Sequence, residues 1–242
     1  GTRIRLELLN QLGKVALADG EARRAVRFFE ETRAAAEHHA LVSEQARAIV
    51  NVGLVHARLG ELDEAKSNLQ RGIEKAREAN DLVRLAFGHL NVGTLYHQTG
   101  ELGAAMAAYR ECRSLFRRLG NRTQLARVLN NLGNLHYLCG DYPRARGYND
   151  EALRLARVSG VERVVGIATV VDGVILAEEE RVEDAEARLR EGLALQRRVG
   201  GDRPIEVLIE LAELHHRTGA PDRARALLDE ARHGLEAVDS PV

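Results

Sequence analysis

The stretch of sequence that decides the fold is residues 130–145, NNLGNLHYLCGDYPRA. In it Gly133 follows the apolar Leu132, Gly140 comes seven residues later, and Ala145 comes five residues after that. Glycine is the usual residue just past a helix end, because it tolerates the left-handed backbone found there. The stretch therefore predicts one helix that ends at Gly140 and a second helix that begins immediately afterwards.

The terminating glycine recurs every forty residues, and a second series of helix-ending residues falls midway between. A helix stop about every twenty residues predicts stacked helical hairpins, which is the sequence signature of a solenoid. The fold class predicted is all-α, an α-α superhelix of about six hairpins. The first series is Gly20, Gly60, Gly100, Gly140 and, displaced, Gly219; the second is Asn80, Gly120, Gly160 and Gly200.

Small residues also recur inside the predicted helices. A glycine in a helix interior costs about 1 kcal/mol relative to alanine, so its recurrence predicts close approach of a neighbouring helix. Larger apolar residues flank the small ones at helical spacing and predict the core stripe. The small residues are Gly13, Gly53, Gly93, Gly133, Gly173 and Ala212 in first helices, and Ala25, Ala65, Ala105, Ala145, Ala185 and Ala224 in second helices; the larger ones are Leu12, Val52, Val92, Leu132 and Leu211, and Phe29, Leu69, Tyr109, Leu189 and Leu228.

Residues 130–145 and 51–65 resemble the tetratricopeptide repeat (TPR), and the resemblance extends over the whole chain. The usual period of that family is 34 residues, so forty implies longer helices. This variant resembles the repeats of kinesin light chains, of LGN-type adaptors and of bacterial transcription regulators of the maltose-regulator type. The resemblance implies a superhelix whose concave wall is built from first helices and captures peptides or partner domains.

The domain organisation follows from the period. We expect one TPR solenoid domain over residues 1–242, with repeats at about 2–40, 42–80, 82–120, 122–160, 162–200 and 202–238. The sequence starts in helical pattern without a methionine, which we interpret as a piece of a longer protein.

Composition narrows the class of partner. The net charge is −1, whereas a nucleic-acid-binding surface is normally strongly basic, so nucleic acid is disfavoured as a partner. There is no signal peptide and no apolar run long enough to span a membrane, so we expect no membrane partner and a cytoplasmic location. The two cysteines, Cys112 and Cys139, are too few for a disulfide framework, and we expect both to be reduced and packed.

An asparagine stands two residues before the recurring glycine in three repeats, as Asn51, Asn91 and Asn131. In the long-repeat relatives, the residue at this place points into the groove and grips the backbone of an extended peptide. A carboxamide is suited to this because it offers a donor and an acceptor together. The alternative is that these side chains bridge neighbouring helices. Gln11 and Glu210 hold the place in the first and last repeats.

Further groove candidates lie one helical turn from the asparagines. The two arginines among them are candidates to bind a carboxylate or phosphate on a ligand, or alternatively to pair with acidic residues of neighbouring helices. These candidates are Arg47, Thr94, His97, Arg127, Asn130, Asn134 and Tyr137.

The fifth repeat departs from the pattern, because Val171 replaces the asparagine and Ile167, Val170 and Val174 make the wall apolar. Either an apolar ligand side chain docks there, or another part of the protein covers it. In the same repeat Asp172 stands at an apolar position. A buried carboxylate needs a partner, and we expect an ion pair with Arg144, Arg146 or Arg188.

No catalytic or cofactor motif is present. The histidines show no metal-ligand spacing, and we expect His56, His136 and His215 to be packed rings. The predicted function is therefore a non-enzymatic protein- or peptide-binding scaffold without a cofactor, the sensor or adaptor region of a larger bacterial signalling or transcription regulator. The alternative is a structural module that self-associates, as a homodimer through the solenoid ends, or packs on its own protein.

Overall fold

The computed structural model describes residues 1–200 and 204–239, with side chains up to residue 236. Every regular element in this part of the chain is an α-helix. The predicted start of the sixth repeat, residue 202, lies outside the described residues. The helices are α1 (Thr2–Ala18), α2 (Ala22–His38), α3 (Val42–Leu59), α4 (Leu62–Glu78), α5 (Leu82–Gln98), α6 (Leu102–Arg118), α7 (Arg122–Leu138), α8 (Tyr142–Val158), α9 (Glu162–Glu178), α10 (Val182–Arg198), α11 (Pro204–Arg217) and α12 (Pro221–Asp239).

The helices form two compact units, Gly1–Gly120 and Asn121–Val242. The first unit contains the hairpins α1–α2, α3–α4 and α5–α6, and the second contains α7–α8, α9–α10 and α11–α12. Within each unit a hairpin packs through its second helix on the first helix of the next hairpin. The predicted fold class, an all-α repeat of six hairpins, is confirmed, whereas the single domain over 1–242 stays a prediction.

The residues predicted to end helices have the left-handed backbone conformation that is typical of a helix C-terminus. Gly60 has φ of 76° and Asn80 has φ of 49°, both in the left-handed region that glycine and asparagine tolerate best. Two stops carry residues that gave no signal in the sequence, since Ala40 and Glu180 also have positive φ, at 52° and 60°. At these two turns, the repeat geometry overrides the local preference of the residue.

The glycines inside the first helices lie where two helices of one hairpin approach closely. A Cβ added at Gly173 would lie 2.9 Å from Leu189 Cγ and 3.0 Å from its backbone nitrogen. At Gly93 it would lie 2.8 Å from the ring of Tyr109. The predicted reason for the recurring glycine is therefore confirmed in both units.

The core consists of the predicted stripes, with two exceptions. Ala25, Ala65 and the equivalent alanines are almost fully buried. Leu228 was predicted to be buried but is 48% exposed, because α12 is rotated so that Leu227 and Ala231 contact the core instead. Leu12 is 38% exposed, because it lies on a face of α1 that no described helix covers.

The cysteines differ from each other. Cys112 is buried, as expected, and burial raises the pKa of its thiol to about 12. Cys139 is exposed next to a turn, so the prediction that both thiols are packed is wrong for Cys139.

Candidate functional site

The first helices of neighbouring hairpins contact each other within each unit: α1 with α3 and α3 with α5 in the first, α7 with α9 and α9 with α11 in the second. We call the surface of α1, α3 and α5 the first wall, and that of α7, α9 and α11 the second wall. All predicted site residues lie on these helices. The first-wall helices carry Arg47, Asn51, Asn91, Thr94 and His97; the second-wall helices carry Arg127, Asn130, Asn131, Asn134, Tyr137, Ile167, Val170, Val171 and Val174.

Asn51 bridges two helices of the first wall. Its Nδ2 donates a hydrogen bond of 2.7 Å to Oδ1 of Asn10 on α1, and Asn10 is fully buried. The bridging alternative therefore describes Asn51. A peptide would have to use the remaining hydrogen-bonding capacity of this side chain.

Arg47 is neutralised by neighbouring carboxylates. Its guanidinium lies 2.8 Å from Glu7 of α1 and 2.6 Å from Glu44 of α3, and the hydrogen bond to Arg47 lowers the pKa of Glu7. Arg84 of α5 also pairs with Glu44, at 2.8 Å. Arg47 therefore joins α3 to α1, and Glu44 extends the ion-pair network to α5; Arg47 pairs with acidic residues, as the alternative interpretation expected, and carries little free charge for a ligand.

The carboxamide of Asn91 has a different environment from that of Asn51. It lines a surface pocket of about 440 Å³ with Arg58, Thr94, Gln98 and apolar residues of α1, α3, α4 and α5. No described residue is a hydrogen-bond partner of the Asn91 side chain. The hydroxyl of Thr94 donates to the carbonyl of Leu90 at 3.0 Å and accepts from Tyr109 at 3.2 Å, so the unused hydrogen-bonding capacity in this pocket belongs to Asn91 and to Gln98.

The residues predicted on α7 differ in exposure. Asn130 is only 8% exposed, so it is nearly enclosed and offers little surface to a ligand. Asn131 is half-buried and Arg127 is exposed, and neither has a side-chain partner among the described residues. His97 of the first wall is half-buried and takes part in interactions of its own.

A pocket of about 110 Å³ opens on the second wall, between α7, α9 and α11. We call it the valine pocket. Six predicted site residues meet there, which brings the apolar fifth repeat next to polar groups of the fourth and sixth. Val174 is also part of the core cluster with α10 and α11, so the protein itself covers this part of the apolar patch, and docking of a ligand side chain on the rest stays a prediction. The lining consists of Asn134, Tyr137, Ile167, Val170, Val171, Val174, Gln196, Glu206, Val207 and Glu210.

The valine pocket has a negative electrostatic environment. Burial raises the pKa of Glu210, and Glu213, Glu178 and Glu206 raise it further by repulsion. Burial also raises the pKa of the Tyr137 hydroxyl to about 12, and Glu210 and Glu178 contribute. Both shifts show that a negative charge is unfavourable at this site: burial disfavours any charge, and the neighbouring carboxylates disfavour an anion in addition.

Sequence reasoning did not predict four of the lining residues: Gln196, Glu206, Val207 and Glu210. Glu210 occupies the repeat position of the asparagines, so the period alone would have placed it on the wall. Gln196 gave no signal, because it belongs to a second helix and reaches the pocket only through packing.

A second polar cleft in this unit, of about 390 Å³, is lined by charged residues of α8, α9 and α10. Asp172 lies 3.2 Å from Arg188 and 3.9 Å from Arg146, as predicted, whereas Arg144 pairs with Asp141. Burial raises the pKa of Asp172, and the two arginines oppose this shift. The charges of this cleft are therefore committed to internal ion pairs.

Two of the three predicted ring positions are packed, since His136 and His215 are almost completely buried. His136 stacks on Tyr148 with ring centroids 5.2 Å apart. His56 is half-buried and pairs with Glu61. Among the described residues, no group of three or more His, Cys, Asp or Glu side chains is arranged to hold a metal ion.

Paired helices with a close-approach glycine, set side by side in walls, define a TPR-type helical-repeat protein. The family model for the MalT-like TPR region matches residues 78–238, and the chain belongs to this family. A model for anaphase-promoting complex subunit 5 matches residues 26–90. No curated protein sequence matches the chain. None of the helices described is long and apolar enough to cross a membrane.

Several solved structures share the fold. A signal transduction ATPase (STAND protein) with a tetratricopeptide repeat sensor from Pyrococcus horikoshii matches with a TM-score of 0.79 and 15% identity, over 99% of this chain and 38% of that one. BtubC from P. vanneervenii matches with a TM-score of 0.69 and 19% identity, over 100% of this chain and 94% of that one. A Rap protein complexed with Competence and Sporulation Factor matches with a TM-score of 0.68 and 14% identity, over 96% of this chain and 65% of that one. At these identities the likeness concerns the fold alone.

Proposed function

We propose that the chain is a non-enzymatic scaffold that binds an extended peptide segment of a partner protein on its walls of first helices. On each wall, a carboxamide without a partner among the described residues, such as Asn91 on the first or Asn131 on the second, hydrogen-bonds to a peptide backbone. The valine pocket accepts one apolar side chain and gives selectivity. The chain acts in the cytoplasm as the sensor or adaptor region of a larger bacterial signalling or transcription regulator.

The valine pocket is the observation that carries this proposal. Ligand sites are typically concave and mostly apolar, with a few placed polar groups, and this pocket combines four apolar residues of α9 with Asn134 and Tyr137 of α7. The nearby cleft around Asp172 is larger, but its charges are already paired. The valine pocket is therefore the better candidate for a ligand side chain.

The regulator role is supported by the family and by one structural neighbour. The MalT-like TPR model covers one of the three hairpins of the first unit, α5–α6, and nearly all of the second unit. The neighbour from P. horikoshii is a STAND protein in which a tetratricopeptide repeat is the sensor. A sensor region needs a ligand site and a connection to other domains, and the valine pocket supplies the first.

The experiment that tests the proposal is selection from a random twelve-residue peptide library, followed by mapping with a photoreactive amino acid. That residue is placed at Val171, in the valine pocket, or at Gly147, an exposed position on the second helix α8. We expect enriched peptides to crosslink from position 171 and not from 147. Equal crosslinking from both positions, or no enriched peptide, would contradict the proposal.

A second candidate function, self-association, is favoured by an apolar stripe on α1. The stripe consists of Ile4, Leu8, Leu12 and Val15, which are 75%, 58%, 38% and 57% exposed. Their spacing places them on one helix face. The equivalent face of α3 is covered by the preceding hairpin, where Val52 and Val55 pack with Phe29 of α2.

Self-association through this stripe is tested by light scattering of the chain over a range of concentrations. If the stripe is an interface, the parent chain forms dimers and the double variant Ile4→Glu/Leu8→Glu is monomeric. A parent chain that is monomeric at all concentrations excludes this second function.

A further inference from the structure

We infer that the valine pocket recognises a cationic peptide, in which a Lys or Arg side chain lies next to an aliphatic one. This inference rests on the proposed function and names the chemistry of its ligand. The aliphatic side chain enters the pocket, and the cation lies at the rim against Glu210.

The size and lining of the pocket select one aliphatic side chain. Its volume is about 110 Å³, and an apolar cavity of ~150 Å³ in another protein holds one benzene molecule. Ile167, Val170, Val171 and Val207 supply aliphatic carbon. Burial of one aliphatic side chain here is favourable because it removes apolar surface of both partners from water.

The rim of the pocket carries an uncompensated carboxylate. Glu210 is half-buried, and the neighbouring charges that shift its pKa are all carboxylates: Glu213, Glu178 and Glu206. No described cationic side chain pairs with Glu210. A charge removed from water without a partner is unfavourable, so a ligand cation at this place replaces a repulsive environment with an attractive one.

A cation of α11 close to this cluster is already engaged. Arg217 of α11 pairs with Glu178 at 2.6 Å, and Tyr142 also donates to Glu178, at 3.3 Å. Glu178 is therefore partly neutralised, whereas Glu210 is not. Since no cationic side chain in the described part of the chain pairs with Glu210, we assign the role of its partner to the ligand.

A second observation at the same pocket, independent of charge, also points to a ligand. The side chain of Gln196 is only 2% exposed, lines the pocket and has no hydrogen-bond partner among the described residues. Buried polar groups are usually hydrogen-bonded. A peptide group that follows the aliphatic side chain into the pocket would supply the missing partner to this carboxamide.

The test uses the parent chain and two variants that each remove one negative charge. Glu210→Gln removes the rim carboxylate, and Glu183→Gln removes an exposed carboxylate in the first turn of α10, thirteen positions from Gln196 along the same helix. The probe is the random peptide library, flanked on both sides by constant sequence so that the N-terminal amine is remote. Circular dichroism checks that each variant is folded.

We expect the parent and Glu183→Gln to enrich peptides with Lys or Arg beside an aliphatic residue, and Glu210→Gln to enrich aliphatic residues without the cation. In an enriched peptide, replacement of its Lys by Gln should weaken binding to the parent about ten-fold, as for a charge-assisted hydrogen bond. The same replacement should not change binding to Glu210→Gln, because a double-mutant cycle isolates the pair.

Three results would overturn the inference. One is that the enriched peptides show no preference for a cation, and another is that the preference persists in Glu210→Gln. Either would mean that Glu210 does not select a cationic side chain, although the proposed function would stand. Failure to enrich any peptide on the parent chain would overturn the inference and the proposed function together.

Discussion

Nδ2 of Asn51 lies 2.7 Å from Oδ1 of Asn10, and this hydrogen bond joins the first helices of two successive hairpins. Asn91 stands at the same repeat position forty residues later, yet no described residue pairs with its side chain. One repeat position therefore carries two different interactions. Asn51 contributes to the structure of the wall, whereas the hydrogen-bonding capacity of Asn91 is unused among the described residues.

This difference predicts that alanine substitutions at Asn51 and at Asn91 affect the free energy of unfolding differently. Asn51→Ala leaves the buried Asn10 without its partner, and we expect it to lower the free energy of unfolding by about 1–2 kcal/mol. Asn91→Ala breaks no side-chain hydrogen bond to a described residue and replaces a poor helix former with a good one, so the free energy of unfolding should stay the same or rise slightly. Urea denaturation of both variants measures this. Equal destabilisation by the two would mean that Asn91 is also structural.

The close approach between helices predicts opposite effects for two glycine substitutions. Gly173→Ala places a Cβ about 3 Å from Leu189, and overpacking of this kind costs about 1–3 kcal/mol. Gly147→Ala, on an exposed face of α8 with no atom within 4 Å, should stabilise by about 1 kcal/mol. Thermal unfolding distinguishes them. A Gly173→Ala variant as stable as the parent would show that the hairpin relaxes around the new methyl group.

The raised pKa of Glu210 predicts a pH-dependent effect of Glu210→Gln. When pH rises above the ordinary pKa of glutamate, the unfolded chain loses this proton before the folded chain does. Rising pH therefore destabilises the folded parent through this group. The variant should have a higher Tm than the parent at pH 7, and the difference should shrink to nothing near pH 4.

The control for this pH dependence is Glu183→Gln, which neutralises an exposed carboxylate. Its Tm relative to the parent should change little between pH 4 and pH 7. If Glu210→Gln has a lower Tm than the parent at pH 7, Glu210 has a stabilising partner and the description of the rim as uncompensated is wrong.

The two cysteines should react at very different rates. The thiolate is the reactive form, and burial raises the pKa of Cys112 to about 12 while it also blocks access. Cys139 is exposed. Iodoacetamide followed by peptide mass spectrometry should show Cys139 modified first and Cys112 modified only on unfolding. Fast modification of Cys112 in the native chain would indicate that α6 opens readily.

The hairpins were predictable because their signals are local and periodic. Gly133 and Gly173 had to face a close neighbour, and Gly60 and Gly140 had to end helices, so period and backbone preference were sufficient. The prediction that Leu228 is buried was wrong because its burial depends on the rotation of α12 about its own axis. The repeat period does not determine this rotation in the last hairpin, where Gly219 is displaced from the forty-residue spacing.

The candidate site was less predictable, because it depends on which neighbours each side chain meets. The period placed Asn51 and Asn91 at equivalent positions, but only packing shows that Asn10 engages the first. The valine pocket combines residues of three first helices with Gln196 of a second helix. Such a combination is a property of the packed unit and has no pattern along the sequence.

The most direct test of the central claim is calorimetric titration of one enriched peptide into the parent chain and into Val171→Phe, which fills the valine pocket. Burial of one aliphatic side chain contributes ~1.5–3 kcal/mol, so we expect the variant to bind at least about ten-fold more weakly, with its helical content unchanged. Equal affinity for a folded Val171→Phe variant would show that the peptide does not use this pocket and would contradict the account.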